Sequence, residues 1–213
     1  NGDLEVDKIL QNFLRKITPN IEIVSEETIK ITKVKKRETF WLIDPIDGTN
    51  SYIKGGSEYT INVGLIINQK PIAGVIYAPK KKRLFYAYGK NKAYEVFNKI
   101  KKIKLNCRKK LIRERVALTN STLPSKMTRR LLKKHNINKF VSMRSSLKFC
   151  VIASSEFDLY SAKSRAREWD YAAGHAIAEG AGAIVRTLKN KKILYGKKNF
   201  KNPSLLVRRN SKI

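Results

Sequence analysis

Acidic side chains are scarce in this sequence: 17 Asp and Glu stand against 46 Lys and Arg among 213 residues, a formal charge of +29 at pH 7. Such an excess leaves three kinds of partner to weigh, namely nucleic acid, an anionic membrane surface and a small polyanion. Lys outnumbers Arg 32 to 14 and is spread along the whole chain. Nucleic-acid readers lean on arginine for bidentate contacts, so nucleic acid is not expected as the main partner. Cysteine is as sparse: Cys107 and Cys150 show neither CxxC nor Cys/His spacing, which excludes a disulfide framework and a zinc site and makes a reducing, cytoplasmic setting the default. No apolar run approaches the roughly 18 to 20 residues of a membrane span. No charged-then-apolar leader precedes the first helical pattern. Peripheral attachment to the inner membrane face through surface lysines stays compatible with the charge, but no motif argues for it. Nothing in the sequence fixes an oligomeric state.

What remains is an ordinary hydrophobic content of 42 % in a length that suits one large domain or two small ones sharing an interface. Asp3, Leu4, Ile9, Leu10, Phe13, Leu14 and Ile17 have helical spacing, which predicts a first helix over about residues 4–17 with Asp3 as its N-cap. Strands are expected at 21–24, 39–43 and 60–67, followed by a meander at 72–77, 84–88 and 93–97. From Arg115 the texture changes to a strand at 116–118, helices at 125–135, 146–153 and 169–179, and a strand at 183–186. This order suggests two sub-domains, residues 1–115 and 116–213.

Against the scarcity of acid, residues 41–50 read WLIDPIDGTN. Asp44 closes an apolar strand, and Pro45, with no N–H to donate, is expected to end the ladder and turn the chain. The turn can bring Asp44 and Asp47 to one side, where two carboxylates repel unless a cation separates them. Oxygen ligands without His or Cys select a hard ion, Mg²⁺ over zinc. Gly48 and Thr49 then offer backbone N–H groups suited to a phosphate oxygen. Together these suit metal-assisted phosphoryl hydrolysis. Asp-Pro and Asp-Gly are also common turn and cap pairs, and alone the stretch does not choose. Ser25-Glu26-Glu27 likewise sets a carboxylate at a strand end, and Trp169-Asp170 opens a small-residue helix that Asp170 could cap while facing a metal.

Taken together, WLIDPIDGT, SEE and WDYAAGHAIAEGAGA resemble the inositol monophosphatase superfamily of Mg²⁺-dependent phosphatases. Residues 58–63 (EYTINV), 71–79 (PIAGVIYAP), 145–150 (SSLKFC) and 169–175 (WDYAAGH) point to its CysQ branch, the 3′(2′),5′-bisphosphate nucleotidases, over nearly the whole chain. The resemblance implies a layered αβαβα sandwich of mixed α/β class. It implies that Glu26, Asp44 and the Ile46 carbonyl hold one Mg²⁺ and that Asp44, Asp47 and Asp170 hold a second, with a third ion left open. Gly48 and Thr49 would face the scissile phosphate, Thr49 would orient the attacking water, and Asp3 would align Thr49. Glu26, Ile46, Asp47 and Asp170 would border the substrate through the metals, and Ser145 and Lys148 would touch the nucleotide, Lys148 as counter-charge to a second phosphate. With a metal-activated water as base, His175 is expected to be packed within its helix, and His135 to end a basic one.

The sequence also departs from the family. The family's opening helix of a few dozen residues is not in this sequence, so either the chain is cut or the fold lacks that packing element, and Arg144 stands where a glycine is usual. Thr119-Asn120-Ser121-Thr122 replaces a Ser-Arg-Ser-His-like segment, and Ala162 stands where an arginine is usual, with Lys163 beside it. The expected activity is removal of the 3′-phosphate of adenosine 3′,5′-bisphosphate to give AMP and phosphate. Two rivals stay open: the same chemistry on inositol monophosphate or another sugar phosphate, and an inactive homologue serving as a basic binding protein.

Overall fold

The structure is a computed structural model that describes residues 2–29, 37–109 and 112–213. Its elements run α1 (Gly2–Ile17), β1 (Glu22–Ser25), β2 (Thr39–Asp47), α2 (Thr49–Ile53), β3 (Thr60–Ile67), β4 (Lys70–Ala78), β5 (Arg83–Ala87), β6 (Ala93–Phe97) and β7 (Lys101–Lys104). They continue with β8 (Val116–Thr119), α3 (Lys126–Lys134), β9 (Lys139–Ser142), α4 (Leu147–Ala153), β10 (Leu159–Ala162), α5 (Glu168–Ala181), β11 (Ile184–Thr187) and β12 (Leu205–Arg208). A short 3₁₀ turn at Pro79–Lys81 joins β4 to β5.

Strands β1 to β7 form one sheet in sequence order, antiparallel except for the parallel β1–β2 pair. The remaining strands form a second sheet in the order β11-β12-β10-β8-β9. Helix α1 packs on β1 and β2, α4 and α5 lie between the two sheets, and Leu132 of α3 joins Ala117 and Leu159 beyond the second. The layers are therefore α, β, α, β, α.

Helix α5 is the hub, and its composition explains why. Residues 172–178 read AAGHAIA and all are buried. Their small side chains let the helix backbone approach β3 and β4 so closely that a Cβ on Gly74 would stand 2.5 Å from the Ala173 carbonyl oxygen. Such contact leaves no slack between α5 and the first sheet.

Several boundaries differ from the sequence-based expectation. Helix α1 already includes Gly2 and Asp3, so Asp3 lies in its first turn, where a carboxylate suits the dipole without capping. Strand β2 does not end at Pro45 but continues to Asp47 through a register shift, Asp44 pairing with Asn62 and Asp47 with Thr60. Three steps along β2 match two along β3. Pro45 falls inside this bulge, where its missing N–H costs the ladder nothing. The cap of α5 is Arg167, whose backbone N–H donates to Asp170 Oδ2 at 2.8 Å, so Asp170 closes the helix start from its third position. His135 is the C-cap residue of α3, as its place at the end of a basic helix suggests.

Candidate active site

In a regular strand, residues three apart point to opposite faces; the extra residue in β2 puts Asp44 and Asp47 back on one side. Glu26 follows β1, whose backbone pairs directly with β2. Asp170 arrives on the first turn of α5, which is pressed against the same sheet. Carboxylate oxygens of Glu26, Asp44 and Asp170 come within 4.8 Å of one another. Asp47 stands beside this triad, and its charge acts on Glu26, Asp44 and Asp170.

The electrostatics of the group are those of like charges crowded out of water. Asp44 is only 2 % exposed. Burial first, then the charges of Asp47, Asp170 and Glu26, hold its carboxyl well above the ordinary range. Asp170 is pushed up to about 8, again by burial first and Asp47 next. Glu26 is raised as well, by partial burial, Glu27 and Asp47, with Asp3 contributing a smaller repulsion. Asp44 Oδ1 is buried and has no hydrogen-bond partner among the described residues. A buried acceptor without a donor, inside a set of oxygen ligands that repel one another, fits a hard divalent cation.

Downstream of the bulge, Gly48 adopts φ +93° and opens α2. A Cβ there would stand 2.7 Å from the Glu58 carbonyl oxygen, so both conformation and space require glycine. The Thr49 hydroxyl donates to the Ile46 carbonyl oxygen at 3.0 Å. Among the described residues no hydrogen bond joins Thr49 to Asp3. Asp3 instead stands near Glu26 and Glu27, where its charge is felt.

Beside the acids, and lined in part by two of them, lies a cavity of about 620 Å³. Its walls include Asp47, Gly48, Thr49, Ser145, Lys148 and Asp170, drawn together from β2, α2, the loop before α4, α4 itself and α5. Ser145 is in the left-handed region at φ +55°. Lys148, 4 % exposed, donates to the carbonyl oxygens of Met143 at 3.1 Å and Ser145 at 2.5 Å. Its ammonium thus braces the loop from beneath while lining the cavity. Burial lowers its pKa to about 8, with the Asp47 charge opposing that shift.

Other residues of the site were not singled out by sequence. Ser146 gives both its backbone N–H and its hydroxyl to Asp47 Oδ2, the latter at 2.7 Å, and so ties the second-sheet side to β2. Asp7, 3 % exposed, accepts from the Ser25 hydroxyl at 2.5 Å and the Gln11 amide at 2.7 Å, fixing the residue just before Glu26. Asn62 lies across from Asp44, with both side-chain polar atoms buried and unpartnered among the described residues. Asn120, Tyr160 and Arg165 complete the cavity wall. A helical repeat with Asp at a core position was the one available signal for Asp7. His175 plays no part here: it is buried, with Nδ1 3.0 Å from the Tyr195 hydroxyl. Cys107 and Cys150 are buried and unpaired. No described helix is long and apolar enough to cross a membrane.

Comparison with known proteins agrees with this geometry. Residues 1–212 match the model of the inositol monophosphatase family. The 3′(2′),5′-bisphosphate nucleotidase CysQ of Salmonella typhimurium is 35 % identical over 209 residues, covering 97 % of this chain and 83 % of its own. The protein of that name from Buchnera aphidicola is 35 % identical over 187 residues, 87 % of this chain and 69 % of its own. Among solved structures, CysQ from Bacteroides thetaiotaomicron superposes with a TM-score of 0.80 at 28 % identity, over 93 % of this chain and 81 % of that one. Inositol monophosphatase II from Staphylococcus aureus shares the fold at a TM-score of 0.78 and 20 % identity, over 97 % of this chain and 76 % of that one. Sequence, layer order and carboxylate geometry converge: this chain belongs to the inositol monophosphatase family.

Proposed function

We propose that this protein is a Mg²⁺-dependent 3′(2′),5′-bisphosphate nucleotidase that converts adenosine 3′,5′-bisphosphate to AMP and phosphate. One observation carries the proposal: the carboxylates of Glu26, Asp44 and Asp170 meet within 4.8 Å, and Asp170 also lines a cavity that bears Arg144, Lys148 and Arg165. The names of the relatives above support the substrate. Glu26, Asp44, Asp47, Asp170 and the Ile46 carbonyl are the groups that would hold two ions, or three. Bound there, hard divalent cations neutralise phosphate charge and acidify water.

The residues of this chain would divide the remaining work. Thr49 spends its hydroxyl hydrogen on the Ile46 carbonyl, so its oxygen lone pairs are free to accept from a water and hold it in line with the phosphorus. The bond from water oxygen to phosphorus forms as the bond to the ribose 3′-oxygen breaks, with one proton of the water passing in net to the 3′-oxygen, so that phosphate and a 3′-hydroxyl result. Gly48 and Thr49 face the phosphoryl oxygens. Ser145 and Lys148 hold the nucleotide side, Lys148 as a cation directed toward the 5′-phosphate. Asp3 acts on this group through its charge near Glu26.

Phosphate release tests the proposal. Adenosine 3′,5′-bisphosphate should be hydrolysed with Mg²⁺ and not with EDTA, and faster than inositol monophosphate. Faster turnover of inositol monophosphate assigns the sugar-phosphate rival. Absence of metal-dependent release with any substrate, together with salt-steep nucleic-acid affinity, assigns the inactive basic protein.

A further inference from the structure

Away from the carboxylates, at the C-terminal end of α5, lies a second and larger cavity of about 790 Å³. Asp170 is on the first turn of that helix and Ala176 and Gly180 line this cavity, so the two sites are separated by about 9 to 15 Å of helix axis. Five arginines, Arg108, Arg113, Arg115, Arg186 and Arg209, line it with two lysines, against one acidic side chain, Glu179.

Structural duties account for part of this charge. Arg113 and Arg209 both reach the buried Asp158, each at 2.7 Å. Arg115 donates to the carbonyl oxygens of His135 and Lys212. Arg186 places Nη1 on Glu179 and the Val185 carbonyl, and Arg108 places Nε on the Gly182 carbonyl that ends α5. A remainder is left over. Nη1 and Nη2 of Arg108, Nη2 of Arg186 and Nη2 of Arg209 have no acceptor among the described residues. Arg209 is 6 % exposed: its guanidinium is locked from behind by Asp158 and the carbonyls of Cys107 and Lys109, with one nitrogen left toward the cavity. The adverse dipole at the end of α5 is already answered by Arg108 and by the Cys107 N–H on the Ala181 carbonyl.

We propose that this arginine-lined cavity binds a small polyanion carrying two linked or neighbouring phosphate groups, at a site separate from the carboxylate cluster. Arg108 presents both terminal nitrogens and can grip a phosphate bidentately, while Arg186 and Arg209 each offer one further N–H₂ donor held by bonds on the rest of the guanidinium. The volume suits a ligand of nucleotide size and is closed to a duplex.

Inorganic pyrophosphate in EDTA and 150 mM NaCl is the probe, since without metal the carboxylate cluster repels it. Arginine modification by phenylglyoxal, mapped by mass spectrometry on the unmodified full chain, should show pyrophosphate protecting Arg108 and Arg186. Calorimetry should give saturable one-to-one binding, weakened at least tenfold in Arg108→Gln/Arg186→Gln with an unchanged circular dichroism spectrum. Protection confined to Arg144 and Arg165 overturns the proposal, as does equal affinity in the double variant. Displacement of pyrophosphate by a single-stranded oligonucleotide at lower concentration also overturns it, in favour of a nucleic-acid track. Should the double variant misfold, the protection map on the native chain decides alone.

Discussion

Replacing Asp44 by Asn should stabilise the metal-free protein while removing its response to metal. The side chain is 2 % exposed and stands among Glu26, Asp47 and Asp170. Burial first and the Asp47 charge next raise Asp170 from 3.8 to about 8, which at 1.36 kcal/mol per pH unit sets desolvation and crowding together on the order of 5 kcal/mol before relaxation. Between these two values the folded state holds a proton that the unfolded state has released, so metal-free stability falls as pH rises from about 4 to 8 and levels off above. Asn has the same shape without the charge, and with side-chain relaxation it should recover roughly 2 kcal/mol at pH 8, or about 4–8 °C in Tm for a chain of this size. The assay is thermal unfolding in EDTA at pH 5 and pH 8, repeated with 5 mM Mg²⁺. The parent protein should be less stable at pH 8 than at pH 5 without metal and should regain stability with it; Asp44→Asn should show a smaller pH effect and little gain from metal. Lower metal-free stability in the variant at pH 8, or an undiminished rise with Mg²⁺, would refute the view of the cluster as repulsion relieved by cations.

Gly48→Ala meets both φ +93° and a 2.7 Å approach to the Glu58 carbonyl, and displacement of the neighbouring Thr49 should lower kcat by about a hundredfold in the phosphate-release assay. Asp7→Ala removes the acceptor of both the Ser25 hydroxyl and the Gln11 amide and should cost about 1–3 kcal/mol; as a positioning change it should also raise the Mg²⁺ concentration needed for half-maximal rate, which a purely structural loss would not. Lys148 titrates at about 8, cationic below and neutral above, so KM for the bisphosphate should rise with pH through that value. Lys148→Met should raise KM about tenfold at pH 7 and flatten the profile, and a profile unchanged by the substitution would dismiss Lys148 as counter-charge.

Much of this was open to a reader of the residues alone. Strands β2 to β6 and helices α3, α4 and α5 announce themselves by period and by their glycine and proline stops, and the acids stand out because acid is rare. The bulge did not, because a register shift between Asp44 and Asp47 is a property of two strands at once. The role of Asp7 is not legible in the sequence, since its bond to Ser25 joins segments that only the fold brings together. Strand β7 reads KKIK and is exposed throughout; lysine suits an edge strand as protection against pairing, but it conceals the strand. Lys148 was noticed, though not its inward bonds to Met143 and Ser145, which depend on a loop conformation with Ser145 at positive φ. The arginine cavity draws on residues from 71 to 213, and no local pattern joins them.

The tight seat of α5 on the glycines of the first sheet has a bearing on how such a protein can change over time. Each carboxylate of the cluster sits on or beside that one sheet or on the helix pressed against it, whereas Ser145, Lys148, Asn120 and Tyr160 come from the other half of the molecule. Cavity-wall residues such as Arg144 can therefore change while the sheet and helix that carry the carboxylates keep their geometry.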